Sequence, residues 1–251
     1  MKETLWLAGA SGAVGSALVP LLIDAGYAVF GSTRRPERAQ ALEAAGVVPV
    51  IVDVFDARAL RDALVRAAPR TVIHQLTDLP YALDPAKMAS ATAANARIRD
   101  EGTRNLVAAA VAAGSTRFVA QSIAWAYRPG VKPYDETRPL DVEAESARGM
   151  SVRGVASLER QTLATPGLTG TVLRYGQIWG PRTGMSAPGG TSPVHVEAAA
   201  FAALLALERG ATGLYNIADD HGEACNLKAK RELGWSPDLR LPPGLRNGAL
   251  R

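Results

Sequence analysis

The stretch LAGASGAVGS, Leu7 to Ser16, spaces Gly9, Gly12 and Gly15 behind an apolar run and ahead of a helix-like one. A strand, a tight turn and a helix N-terminus in that order present backbone N–H groups and the positive end of a helix dipole to an anion. Gly9 permits the turn, Gly12 lets a pyrophosphate approach the backbone, and Gly15 lets the helix pack closely on the sheet. Ser11, Ala13 and Val14 complete the loop and are read with the glycines as cofactor-binding residues. The weight of this spacing depends on what surrounds it.

What surrounds it is a repeated alternation. TLWLAG leads into AVGSALVPLLIDAG, YAVFGSTR into PERAQALEAAG, VVPVIVDV into ARALRDALVRAA, and RTVIHQL into an alanine-rich segment ending near Gly114. Parallel strands joined by right-handed helical crossovers satisfy such a pattern, so the fold class is α/β, a Rossmann-like doubly wound parallel sheet. STRFVAQSI reads as a fifth strand and LTGTVLRYG as a sixth. After Gly176 the pattern loosens into a Gly/Pro/Ser-rich loop, the helix-like VEAAAFAALLALERG, a short GLYNIA strand and a Lys/Arg-rich piece. Residues 1–176 are therefore expected to form the dinucleotide-binding core. Residues 177–251 should form a small C-terminal substrate lobe, interleaved with that core rather than independent.

A chain of 251 residues, 47% apolar and 21% charged, can bury a continuous core and lies far from the composition of disordered chains. Its 28 basic residues stand against 24 acidic ones and are dispersed, which argues against a nucleic-acid surface. With one cysteine, Cys225, no internal disulfide forms and a reducing compartment fits. No apolar run approaches a membrane span and the start lacks the layout of a secretory signal, so the expected location is cytoplasmic. Three histidines scattered along the chain give no metal-ligand pattern.

The end of the second strand identifies the nucleotide. An acidic residue there would accept hydrogen bonds from both hydroxyls of an adenosine ribose. Ser32 and Thr33 occupy that place, with Arg34 and Arg35 beside them, an arrangement that welcomes a 2′-phosphate. NADP is thus favoured over NAD. Asp53 and Val54, in VDVFD after the third strand, are candidates to meet the adenine, with a helix cap the other reading of Asp53. Gln75, Leu76 and Thr77 after the fourth strand, and Gln121 near the end of the fifth, should lie along the cofactor.

GASGAVG, VDVFD, VIHQL, EGTRNLVAAAVAAGSTRFV, LRYGQIWGP, VHVEAAA, YNIAD and KRELGWSP follow one another in this order. With these motifs the chain resembles the extended or atypical branch of the short-chain dehydrogenase/reductase superfamily, of the NAD-dependent epimerase/dehydratase type, over nearly its whole length. The resemblance implies a serine or threonine after the fifth strand and a Tyr-x-x-x-Lys pair on the following helix. Aligned on Glu159, SVRGVASLE instead puts Ser151 at the tyrosine position and Val155 at the lysine position. A serine has neither the reach nor the acidity of a phenol, and a valine cannot replace an ammonium.

Substitute catalytic residues are sought among Tyr127 and Ser122, both in AQSIAWAY at the end of the fifth strand. Tyr134, Asp135 and Glu136 are further candidates in a polar loop, while His74 and His195 are expected to hold local backbone. Ile123, Trp125, Ser151, Arg174, Tyr175, Ile178 and Trp179 are expected to wall a substrate pocket, with Met150 nearby. Between Pro181 and Val194 only a short loop stands where larger relatives insert a lobe for nucleotide sugars. A compact, largely apolar substrate is therefore expected. Three readings remain open: an NADP-dependent reductase or dehydrogenase acting on a small carbonyl or alcohol, a non-redox isomerase, cyclase or lyase, and an NADP-binding sensor without turnover. In many members of the superfamily the fourth and fifth helices pair in a homodimer, and that assembly is open to this chain.

Overall fold

The computed structural model describes residues 3–246. Its strands are β1 (Thr4–Ala8), β2 (Ala28–Thr33), β3 (Val48–Ile51), β4 (Thr71–His74), β5 (Arg117–Ile123), β6 (Thr169–Tyr175), β7 (Gln177–Trp179), β8 (Pro193–His195) and β9 (Gly213–Ile217). Seven of them make one parallel sheet in the order β3-β2-β1-β4-β5-β6-β9, while β7 and β8 pair separately. The order reverses direction at β1 and β4, so their C-terminal ends open a crevice between diverging crossovers.

The helices are α1 (Ala13–Asp24), α2 (Ala39–Ala44), α3 (Ala57–Ala67), α4 (Met88–Arg97), α5 (Thr103–Ala112), α6 (Ser146–Ala164), α7 (Val196–Arg209), α8 (Leu227–Leu233) and α9 (Pro243–Arg246). Alternation along β1 divides the core. Leu5 and Leu7 pack with Leu18 and Leu22 of α1 and Ala199 and Ala203 of α7. Trp6 and Ala8 face the other way, toward Leu60 and Leu64 of α3 and Leu106 and Ala110 of α5. Both faces of the sheet are therefore covered, which is why its strands read as continuous apolar runs.

The alanine-rich segment expected as one helical pattern is more divided. Short 3-10 turns at Tyr81–Leu83 and Pro85–Lys87 precede α4, and a π-helical turn, Ile98–Gly102, joins α4 to α5. Beyond Gly176 the chain returns to the core. The GLYNI segment is β9, in register with β6 from Thr171–Gly213 to Tyr175–Ile217. Trp235, almost fully buried, donates its indole N–H to the Ala198 carbonyl at 2.8 Å and ties the segment after α8 to α7. Among the described residues no helix is long and apolar enough to cross a membrane.

Trp235→Ala removes both that bond and a large buried ring, so it should lower unfolding free energy by about 3–5 kcal/mol. Urea denaturation of the variant checks this, and a single cooperative transition is expected because the C-terminal segment shares the core of the sheet.

Candidate active site

The β1–α1 turn is built on close backbone approach. Gly9 has φ +90°, and a Cβ there would lie 2.6 Å from the Gln75 carbonyl oxygen; one on Gly15 would lie 2.2 Å from the Gly9 carbonyl oxygen. No side chain caps α1 and no acidic residue stands in its first turn, which leaves its N-terminal dipole for an anion. The turn opens into a cleft of about 1490 Å³ that runs along the C-terminal ends of β2, β1, β4, β5 and β6. Pockets for a single small molecule are typically roughly 300–1,000 Å³. This one has room for an extended dinucleotide and a small second molecule.

Most of the expected residues meet in this cleft. Gly9, Ser11, Gly12, Ala13 and Val14 line it, as do Thr33, Arg34, Arg35, Asp53 and Val54. Gln75, Leu76, Thr77 and Gln121 continue the wall toward Ile123, Trp125, Ser151, Tyr175, Ile178 and Trp179. Gly15 lies beneath the turn rather than on the wall. Asp53 accepts from the Phe55 amide at 2.9 Å, and the cap of α3 is Asp56, which accepts from the Ala59 amide at 2.9 Å.

Tyr127 and Ser122, expected as catalytic residues, and Arg174, expected on the pocket wall, do not line the cleft. They belong to a buried network. Arg174 forms a two-point ion pair with Glu159, Nε to Oε1 at 2.8 Å and Nη2 to Oε2 at 2.6 Å. Ser122 Oγ donates to the same Glu159 at 2.8 Å. Tyr127 Oη accepts from Arg174 Nη1 at 2.9 Å and donates to Asn216 Oδ1 at 2.5 Å. Burial raises the Tyr127 pKa despite the opposing Arg174 charge and hydrogen bonds, making it a weak proton donor. Met150 is also displaced, lying largely exposed on α6 and away from the cleft.

The other polar candidates have structural duties. Tyr134 Oη donates to the Gly130 carbonyl, Asp135 accepts from the Thr137 amide and hydroxyl, and Glu136 accepts from the Asn216 amide. His74 contacts Thr103 Oγ1 through Nε2 at 3.1 Å and accepts from the Leu76 amide through Nδ1 at 3.2 Å. Burial, aided by the nearby Arg99 charge, lowers its pKa to about 4, so it is neutral near pH 7. His195 accepts from the Glu197 amide and caps α7.

Two arginines escaped the sequence reading. Arg38, in the 3-10 turn after β2, reaches back over the phosphate turn and donates to Ser11 O at 3.0 Å and Ser11 Oγ at 3.1 Å. Its place three residues beyond Arg35 in RRPER is the signal that could have found it. Arg99, in the π turn, lines the cleft and donates to Ser151 Oγ at 2.8 Å. Nothing in the local sequence separates it from the surface arginines on either side. Asp78 was also missed; it pairs with Arg34 at 2.8 Å across the cleft.

Sheet order, phosphate turn and cleft together define a protein of the Rossmann-type dinucleotide-binding class. The model of the NAD dependent epimerase/dehydratase family matches residues 5–239, and the chain belongs to that family. It is 39% identical to a Streptomyces protein named 3-diazoavenalumate denitrifying reductase, over 95% of this chain and 84% of the relative. Its fold matches the UDP-glucose 4-epimerase of Thermotoga maritima, with a TM-score of 0.75 at 20% identity over 98% of this chain and 97% of that one. The Bordetella bronchiseptica enzyme WbmG, solved with NAD, matches with a TM-score of 0.72 at 18% identity over 100% and 93%. Family and relative make this an oxidoreductase-like enzyme of a nucleotide-cofactor-dependent family.

The residues fit a dinucleotide. The Gly9 and Gly15 cradle would be filled by any side chain, and Gln75, on the cleft wall, has a buried Oε1 with no partner while its Nε2 donates to Tyr175 Oη. Replacing Glu159 by Gln leaves Arg174 buried without its counter-charge and should cost roughly 3–5 kcal/mol. Tyr127→Phe strands a buried Arg174 N–H and the Asn216 Oδ1, and should cost about 1–3 kcal/mol while leaving turnover unchanged, as urea denaturation and steady-state kinetics would show.

Proposed function

We propose that the protein is an NADPH-dependent reductase that delivers hydride to a compact, largely apolar acceptor carrying a diazonium group. The observation that carries this reading is the wall of the cleft at α6. This helix, SARGMSVRGVASLERQTLA, has neither tyrosine nor lysine, and it offers Ser151, bonded to Arg99, where a carbonyl reductase needs an acid. Tyr175 also meets the cleft, but burial raises its pKa strongly and its hydroxyl accepts from Gln75.

A carbonyl acceptor becomes an alkoxide on receiving hydride and must be protonated. A diazonium carbon needs no acid. The chemistry that NADPH supplies when bound is hydride; with it R–N2+ and NADPH give R–H, N2 and NADP+, as the C–N bond breaks and its electron pair leaves in dinitrogen. The chain's own task is then to bind, align and exclude water, not to move a proton. Ile123, Trp125, Ile178 and Trp179 supply apolar walls for this, and the 39% identical relative bears the name of a denitrifying reductase of a diazo compound.

For the nucleotide, Ala13 and Val14 at the start of α1 would face the pyrophosphate. Arg34, Arg35 and Arg38, with no acid at the end of β2, support a 2′-phosphate and hence NADP. Burial first, then the charges of Arg35 and Arg182, lower the Arg38 pKa against the opposing pull of Glu37. An added phosphate would offset the Arg35 and Arg182 charges that reach Arg38.

Arg38→Ala should weaken NADPH binding about 10–100-fold while changing NADH by much less, read by cofactor fluorescence titration. Equal losses for the two nucleotides would remove the 2′-phosphate assignment. For the chemistry, an arenediazonium carboxylate with NADPH deuterated at the transferable position of C4 should yield dinitrogen and place deuterium on the carbon that carried nitrogen. Product hydrogen drawn from D2O, turnover of simple carbonyls but not of the diazonium, or NADPH binding with no turnover of any acceptor would each reject this reading.

A further inference from the structure

Arg97, Arg99 and Arg104 follow one another across the α4–α5 junction, and only one of them turns inward. Arg97 pairs with Glu101 at 2.7 Å and Arg104 with Asp100 at 2.7 Å, all on the solvent side. The intervening π turn, Ile98–Gly102, changes the helical phase so that Arg99 lines the cleft instead. Such turns recur at functional sites because the extra residue redirects a side chain that a regular helix would leave elsewhere.

The inward guanidinium is held but not neutralised. Nη1 donates to Ser151 Oγ at 2.8 Å and grazes the Ser151 carbonyl at 3.5 Å. Among the described residues no carboxylate lies within ion-pair distance of Arg99, and Nε and Nη2 donate to no protein acceptor. The acids nearest in sequence are committed elsewhere, Asp100 to Arg104 and Ser157, and Glu101 to Arg97. Glu159, whose charge does reach Arg99, is spent on Arg174 and Ser122. His74, the other titratable neighbour, is neutral. Burial lowers the Arg99 pKa to about 10, which still leaves it charged near neutral pH.

A half-buried cation without a counter-ion is only partly solvated, which costs free energy. The cost is offset when a ligand brings the missing charge, and a guanidinium with two free donor edges matches the oxygens of an oxyanion. We infer that Arg99, steadied by Ser151, is the anion-binding residue of the substrate pocket, and that the molecule bound there is an organic acid with an apolar body. Ile123 and Trp125 near the end of β5, and Ile178 and Trp179 after β6, receive that body while the oxyanion meets Arg99. Calling this molecule the hydride acceptor rests on the reductase reading above; its anionic character does not.

The test therefore measures binding without turnover, on the full chain with and without saturating NADP+. Benzoate and cinnamate are titrated calorimetrically against benzamide and cinnamamide, and 4-nitrophenolate against 4-nitroanisole, so that a carboxylate and a phenolate source of the oxyanion are told apart. Each preferred anion should bind about 10–100-fold more tightly than its neutral partner. Arg99→Met should abolish that preference and leave the neutral compounds unchanged, while Arg99→Lys should retain part of it. Wild-type protein that does not discriminate anion from neutral partner overturns the inference, as does Arg99→Met with the wild-type preference. Because the wild-type comparison alone is decisive, a variant that fails to fold does not rescue it. Anion preference without NADPH oxidation would sink the reductase reading alone, and turnover without anion preference would sink this one alone.

Discussion

The ion pair between Arg174 on β6 and Glu159 on α6, with side chains 3% and 7% exposed, governs the half of the protein that meets the substrate. Two desolvated charges are tolerable only when every remaining donor and acceptor is also satisfied. Burial by itself would lower the Arg174 pKa, but the hydrogen bonds and charge of Glu159 outweigh it and raise the value. Ser122 and Tyr127 complete the shell, and Asn216 carries the network into β9 and, through its amide, to the carbonyls of Tyr134 and Cys225. The network locks α6 against β5 and β6, and so fixes Ser151 on the cleft wall. Tyr127 and Ser122 resemble catalytic groups in sequence because hydroxyls near the end of a central strand serve either chemistry or burial. Here burial claims them.

The fold was legible because it rests on local patterns with strong physical causes. The glycine spacing at Leu7–Ser16, the alternation of apolar runs with amphipathic segments and the missing acid at the end of β2 each express one backbone or solvation constraint. Each is contained within a short window of sequence. What escaped depends on distance or phase. Arg38 lies on the cleft because a 3-10 turn after Pro36 folds the chain back toward Ser11. Arg99 does so because one π turn breaks the 3.6-residue period, and no single-sequence signal announces that break. Arg174 looked like a wall residue for the same reason: the strand alternation says which face it takes, but not that Glu159 waits there.

The cleft also has a consistent division of labour. At the ribose end, positive charge comes from a short stretch, Arg34 to Arg38, that is half-exposed and partly occupied by Asp78. Exposed pairs of that kind are worth little, so an incoming phosphate can displace the Asp78 contact at small cost. At the other end, charge comes from one half-buried arginine with no carboxylate in ion-pair contact. The first arrangement suits a nucleotide that binds and leaves in every turnover; the second suits selection of one class of molecule.

This asymmetry bears on why a catalytic phenol is dispensable. A phenol beside the reacting carbon must release a proton, which requires a cation to lower its pKa and enough water to restore it. The protein keeps a cation in that region but binds it to a serine, a group that will not ionise near neutrality. Without a proton donor beside it, the role proposed for this fixed positive charge is electrostatic: to hold an anion and orient it against the cofactor side of the cleft. A substrate whose leaving group carries away its own electron pair asks for no more. On the reductase reading, the absence of the acid, the inward arginine and the apolar walls answer one chemical requirement, hydride delivery to an anionic, electrophilic molecule.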